Sequence, residues 1–286
     1  MTTIRKAVRE DFELVYPLLE EFNSRYLYRQ DWEKLFYQNW DARQGYCGYI
    51  MLDQEKAVGF LGLLFKERNI KGRNYNFCNL TSWIVKEEYR SKSIFMLQPV
   101  LKLKSFILTD LTPSREVHNL LKRAGFQPLE SHYRFIFPFF PLLKIKSNLS
   151  FITDKKSVEE KLNKPERQIF YDHQFDYCHH VVLQSSRGEC YLVLTRMVRK
   201  RAPFLMVRIH YVSNPEFFRE YISLFRFWVC TQYRVLAMVV DERFLEGKKI
   251  IFSQKLRLKN KALFKSSVIS KYDIDNLYSE LVLFNI

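Results

Sequence analysis

The run Arg90-Ser91-Lys92-Ser93-Ile94-Phe95 sets two cations and two hydroxyls at the start of an apolar pattern of helical spacing. The first amides of a helix lack intrahelical partners and the macrodipole is positive there, so an anion such as a diphosphate gains several hydrogen bonds at once. Farther along, Asp110 closes the short run Phe106-Ile107-Leu108-Thr109, His118 follows Ser114 by about one helical turn, and Tyr133 stands beside His132 in a late apolar run. A carboxylate, an imidazole and a phenol can each take a proton from an attacking nucleophile or give one to a leaving group. Each also has an ordinary structural use, as strand end, helix face or core.

The elements that must position these groups follow from periodicity. Residues 3–7 read as a strand, and 10–24 as a helix with Phe12, Val15, Leu18, Leu19 and Phe22 on one face. Residues 31–42 read as a second helix with Asp31 as its cap, and 49–52 with 57–65 as a hairpin turning at Asp53-Gln54-Glu55-Lys56. A strand over 75–85, a polar loop over 87–93 and a helix over 94–104 follow. A strand over 106–109, a helix over 114–124 ending at Gly125-Phe126 and a closing strand over 126–137 complete the half. The expected order is β-α-α-β-β-β-α-β-α-β.

That order, with Trp83-Ile84-Val85-Lys86-Glu87-Glu88-Tyr89-Arg90 running into Ser93-Ile94-Phe95, resembles the GNAT superfamily of acyl-CoA-dependent N-acyltransferases. In that family a hydrophobic strand ends in V-x-P-E-Y-R and a small-residue loop leads into a helix. Thr112-Pro113-Ser114 through Leu120-Leu121-Lys122-Arg123-Ala124-Gly125-Phe126 is similar to the family's S/N…L-Y-x-K-x-G-F segment. The resemblance implies an α/β (α+β) fold with a mixed, mostly antiparallel sheet flanked by helices. It further implies acetyl-CoA or another acyl-CoA as co-substrate, held by Trp83, Ile84, Val85, Arg90, Ser91, Lys92, Ser93, Ile94, Phe95 and Ser114, and an amine as acceptor. Asp110, His118 and Tyr133 are then the candidate catalytic groups. Ser93 and Phe95 stand where the family has small residues, and Leu121 stands where it often has a general-acid tyrosine.

The second half reads as a repeat of this order: a hairpin of 178–183 and 190–198, a strand over 204–212, a helix over 215–231 and a strand over 235–241. The expected division is a GNAT-like domain over 1–140, a Pro- and Ser-bearing linker over 141–165 and a degenerate GNAT-like domain over 166–286. The aromatic-proline run 135–143 reads as packing between the two, with a membrane surface as the other use for it beside Lys144 and Lys146.

Composition narrows the function. The eight glycines never spell G-x-G-x-x-G or G-x-x-x-x-G-K-[ST], which sets aside the common dinucleotide and P-loop cradles. The N-terminal fifteen residues are charged and lack the apolar core of a signal peptide, and no apolar run reaches the roughly 20 residues of a spanning helix, so a cytoplasmic protein is expected. Five cysteines without a C-x-x-C pair fit free thiols. Asp172, His173, Asp176, Cys178, His179 and His180 match no standard zinc spacing, and no metal is assigned. The net charge of +15 divides as +5 over 1–143 and +10 over 144–286. Arg196, Arg199, Lys200 and Arg201, and seven cations between Gly247 and Lys265, are a solvated face or a clamp for an anionic or sugar-linked acceptor. The charge also suits tRNA, so an aminoacyl-tRNA-dependent transferase of the Fem type is an alternative, as is a catalytically silent GNAT-like binding protein.

Overall fold

A computed structural model of the chain describes residues 2–24, 27–38, 40–139, 148–197 and 205–286. Along the first half run β1 (Thr3–Ala7), α1 (Phe12–Glu20), α2 (Arg29–Tyr37), β2 (Gly48–Asp53), β3 (Lys56–Ile70), β4 (Arg73–Val85), α3 (Ser93–Leu101), β5 (Phe106–Asp110), α4 (Arg115–Arg123) and β6 (Gln127–Ile136). The second half adds β7 (Ser150–Ile152), α5 (Lys155–Lys161), α6 (Lys164–Asp172), β8 (Cys178–Ser185), β9 (Gly188–Met197) and β10 (Met206–Val212). It closes with α7 (Pro215–Gln232), β11 (Ala237–Asp241), α8 (Glu242–Leu245), β12 (Ser253–Lys265) and α9 (Glu280–Leu283). Residues 140–147, 198–201 and 204, within the expected linker and strands, lie outside the described residues.

The chain forms two compact units that are not consecutive in sequence. The first holds Met1–Leu129 with Asn260–Asp273 and Tyr278–Phe284, and the second holds Glu130–Lys259, Ile274–Leu277 and Asn285–Ile286. Of the segment 141–165, the described part carries β7 and α5, which Asp154 caps through Ser157 N at 3.0 Å.

In the first unit β1, β2, β3 and β4 pair antiparallel, β4 pairs β5 in parallel, and the end of β12 pairs β5 antiparallel at Leu263↔Asp110. Alternation along β3 buries both faces, Phe60, Leu61, Leu63, Leu64 and Phe65 among them, so this strand is the spine of the core. Met96, Leu97 and Val100 of α3, with Leu121 of α4, pack into the same core. On α1 and α2, Phe12 and Phe36 meet edge to face at 5.3 Å, and Phe36 stacks on Phe60 at 5.4 Å. Asp31 does not cap α2 from outside: it sits in the first turn and its carboxylate accepts the Tyr28 amide at 3.0 Å. Leu121 is fully buried, which explains an apolar residue at that position without reference to chemistry. Gly125 takes the left-handed conformation (φ +86°) that ends α4, with the Phe126 amide reaching the Leu121 carbonyl at 3.0 Å.

In the second unit the sheet order is β6, β11, β10, β9, β8, β7, antiparallel except for the parallel pair β10–β11. Helix α7 lays Phe218, Ile222, Phe225 and Val229 on Val207, Ile209, Met238 and Val240. All five cysteines are buried and free. Among the described residues no helix is long and apolar enough to cross a membrane.

Gly48 is the least forgiving position in this framework. A Cβ there would lie 2.3 Å from the Leu61 carbonyl oxygen, a backbone atom held by the β2–β3 ladder. Gly48→Ala should cost at least about 1–3 kcal/mol, read as a lowered midpoint in chemical denaturation, whereas Gly72→Ala, in open space at φ +83°, pays only conformational strain.

Candidate functional site

The first unit contains an opening between two parallel strands. β4 and β5 keep register from Asn76↔Phe106 to Asn79↔Thr109, and β5 stops at Asp110 while β4 continues to Val85. Opposite, the β3 register slips between Phe60 and Gly62, where Ser82 takes φ +50°. This bulge turns β4 from the line of β5, so the backbone from Leu80 to Val85 has no ladder partner on its β5 side among the described residues. Trp83, Ile84 and Val85 lie on that stretch and are half-buried. An extended chain carrying amides, such as a pantetheine arm, fits an unpaired strand edge as another strand would.

The loop after β4 differs from the outward-facing cradle expected of it. Glu87–Lys92 is a 3₁₀ turn that runs directly into α3, and the Ser93 amide is spent on the Arg90 carbonyl. The reason is local. Without glycine the residues settle in right-handed helical conformations, Lys92 at φ −91°, ψ −6° and Ser93 at φ −56°, ψ −34°, which close short-range bonds. Phe95 is 49% exposed and Ile94 37%, so neither ring nor alkyl chain plugs the core. Arg90 lies 3.6 Å from Glu87 with both side chains in solvent, and Lys92 donates to Thr2 Oγ1 at 3.2 Å beside the Tyr89 ring. Tyr89 in turn donates to Asp53 at 2.8 Å and helps hold that carboxylate below its ordinary pKa. Attraction for an anion at this end therefore rests on the Arg90 and Lys92 side chains more than on amides. Ser91 belongs to the same turn, and Ser114 caps α4 through the Val117 amide at 3.2 Å while donating to Glu116.

At the point where β4 and β5 part, two carboxyl groups are buried together. Glu280, on α9, is 2% exposed and accepts from Asn79 Nδ2 and Thr112 Oγ1, both at 2.6 Å. Thr109 fixes the Asn79 amide by donating to its Oδ1 at 2.9 Å. Asp110 is 5% exposed and lies near enough to Glu280 for the two charges to oppose each other. Burial pushes both pKa values up, and the Glu280 charge pushes Asp110 well above the carboxylate range, while the Thr112 and Asn79 bonds restrain Glu280. Of the two, Asp110 is pushed the furthest up, and Glu280 is the one that accepts side-chain donors. Thr112 is exposed, so its hydroxyl links solvent to the buried Glu280.

The other candidates fall elsewhere. His118 is half-buried on α4, and its Nε2 has no partner among the described residues. Tyr133 belongs to the second unit, where it pairs with Asp241 across the sheet and the Arg208 guanidinium lies 5.1 Å from its ring. Burial raises the Tyr133 pKa. Near it Glu130, pushed up to about 7 by burial and by Asp241, accepts the Ser131, His132 and Arg243 amides. His173 bonds the Ile169 and Leu277 carbonyls, and His180 bonds Tyr191 and the His173 carbonyl. Glu280, Asn79 and Thr112 carried no sequence signal as a group, because Glu280 lies 201 residues from Asn79.

No family model matches the sequence, and no curated protein sequence matches it. Solved structures do share its fold. A GCN5-related N-acetyltransferase from Anabaena variabilis aligns over 92% of this chain and 72% of its own, at 13% identity and a TM-score of 0.60. One from Kribbella flavida aligns over 92% and 70%, at 12% identity and 0.58. The glucosamine N-acetyltransferase region of a fungal multi-domain β-N-acetylglucosaminidase aligns over 92% of this chain and 38% of that one, at 12% identity and 0.60. The fold is thus the GNAT fold, a mixed α/β architecture with a large, mostly antiparallel sheet flanked by helices.

A carboxyl group whose pKa is raised by folding binds its proton more tightly in the folded state. Its contribution is fully present below the unfolded pKa of about 4 and is lost as pH rises toward the folded value. Asp110→Asn removes that pH-dependent loss. The variant's melting temperature relative to the parent should climb steadily from pH 4 to pH 9, and a pH-independent difference would show that Asp110 ionises normally.

Proposed function

We propose that the first unit is an N-acyltransferase domain that moves a short acyl group, acetyl, from acyl-CoA to the amine of a small acceptor. The observation that carries this reading is the opening of β4 from β5 with a buried carboxyl pair at its apex. The unpaired edge of Leu80–Val85 would hold the pantetheine arm, and Arg90 and Lys92 the phosphates. An N–H of that edge would polarise the thioester carbonyl.

Attack by the amine nitrogen on the thioester carbon forms a C–N bond and expels the thiolate, leaving one proton to be removed from nitrogen. Glu280 is the base suited to it: raised in pKa by burial, and reached through the exposed Thr112 hydroxyl, which donates to Glu280 as it accepts from the amine or a water. No acid stands at Leu121, yet a thiol with an ordinary pKa of about 8.5 leaves as thiolate at modest cost. The excess of cations suits an anionic or sugar-linked amine, and glucosamine acetylation by the fungal neighbour is in keeping with such an acceptor. The order β8–β9–β10–α7–β11 repeats β2–β3–β4–α3–β5, and we read the second unit as a degenerate copy. A cytoplasmic site of action follows from the need for acyl-CoA.

Acetyl-CoA at 100 times its dissociation constant should stabilise the protein by about 2.7 kcal/mol, seen as a rise of several degrees in melting temperature, with desulfo-CoA acting similarly. Arg90→Ala should weaken that response. No response to either ligand, together with a salt-sensitive tRNA shift, would replace this reading with the aminoacyl-tRNA one. With an amino-sugar acceptor, Glu280→Gln should lower kcat by roughly 10²–10⁴-fold. Thr112→Val should do so in part, and both should flatten the acidic limb of the pH profile without a matching change in KM.

A further inference from the structure

The second unit holds a cavity of about 550 Å³ that has no part in the site described above. Its volume lies in the range of small-molecule sites. Arg196, from β9, and Asn285 line it together, and the Asn285 amide Nδ2 donates to the Arg196 carbonyl at 3.1 Å, which ties these two segments of the wall.

The rest of the wall defines the molecule's chemistry. Arg234 adds a second guanidinium, exposed and without a carboxylate partner among the described residues. It occupies the left-handed position (φ +51°) that closes α7, where the Val235 amide bonds the Cys230 carbonyl and the Arg234 amide the Thr231 carbonyl. Glycine is the residue this position favours, so arginine is held there against its backbone preference. Aromatic rings supply flat faces: Tyr177, stacked on Phe175 at 5.2 Å and 3°, and Tyr233, 4.5 Å from the His179 ring. Burial and the Arg196 charge lower the His179 pKa, which leaves a neutral ring. Asp176, which is exposed, is the single carboxylate among the described lining residues, against two guanidinium groups.

We propose that this cavity is a binding site for a small molecule that joins one anionic group to a planar ring. The anion pairs with Arg196 and Arg234, and the ring lies on Tyr177 or Tyr233. Carboxylate and phosphate share the chemistry that Arg196 and Arg234 recognise.

Calorimetry of the full chain with salicylate and with phenyl phosphate tests this and tells the two anions apart. At least one of them should bind about tenfold or more tightly than benzyl alcohol or inorganic phosphate. Arg196→Lys should weaken that binding by about tenfold. Arg234→Gly should weaken it similarly while raising the melting temperature by about 1–3 °C, since glycine relieves the backbone. That opposite movement separates loss of a ligand contact from loss of fold. The proposal is overturned if neither aromatic anion binds more tightly than its fragments, or if binding survives both substitutions unchanged. Neither result bears on acetyl-CoA binding in the first unit.

Discussion

Everything chemical in the first unit depends on where one parallel ladder stops. β4 and β5 share four paired positions, and past Asn79↔Thr109 the ladder ends because β5 has only Asp110 left while β4 turns at Ser82. A parallel pair in a sheet interior normally leaves no free edge. Here the bulge makes one, and it costs a non-glycine residue the left-handed conformation, a strain of order 1 kcal/mol or more that the β3 ladder of eleven paired positions sustains.

Buried acid at the apex follows from the same geometry. Where two strands separate, side chains that would have met across the ladder lose a neighbour, and Asn79 and Thr109 fill the gap by bonding each other. The Asn79 amide then has hydrogens to spare, and Glu280 takes one. A single carboxylate with two good donors could stay ionised at low cost, but Asp110 beside it cannot ionise as well. A fold interested only in stability would not put two acids there. Their energetic cost is the reason to read them as chemistry and to look to the Thr112 hydroxyl as the way out to solvent.

The parts of this that were legible in the sequence were those governed by local pattern. The spacing of Phe12, Val15, Leu18 and Leu19, the hairpin turn after Leu52, and Gly125-Phe126 after α4 each report a local constraint, and each element is present. Asp110 was legible as the end of an apolar strand. Its partner was not, since nothing near Glu280 in sequence says that α9 returns to Asn79 and Thr112. Helices α5 and α6 were missed because each shows only one or two buried apolar residues, Val158 in one and Ile169 with Phe170 in the other. Strand β12 was obscured by its lysines, which leave its first half in solvent, while Ala262, Leu263 and Phe264 go into the core.

The absence of glycine between Gly72 and Gly125 has a more definite meaning in the structure than in the sequence. Glycine in such a loop keeps amides unpaired by allowing backbone angles that point them outward. Serine, lysine and phenylalanine cannot hold those angles cheaply, so Glu87–Lys92 coils into a turn and spends its own donors, the Ser93 amide among them. What the loop loses in amides it retains in charge, because Arg90 and Lys92 remain on exposed or half-buried side chains with weak partners. Exposed cations bind phosphate through screened, salt-sensitive attraction, not through a rigid cradle. A diphosphate held this way would be bound weakly and released quickly, and the greater share of donor recognition would then fall on the β4 edge, where the backbone and not the side chains does the recognising.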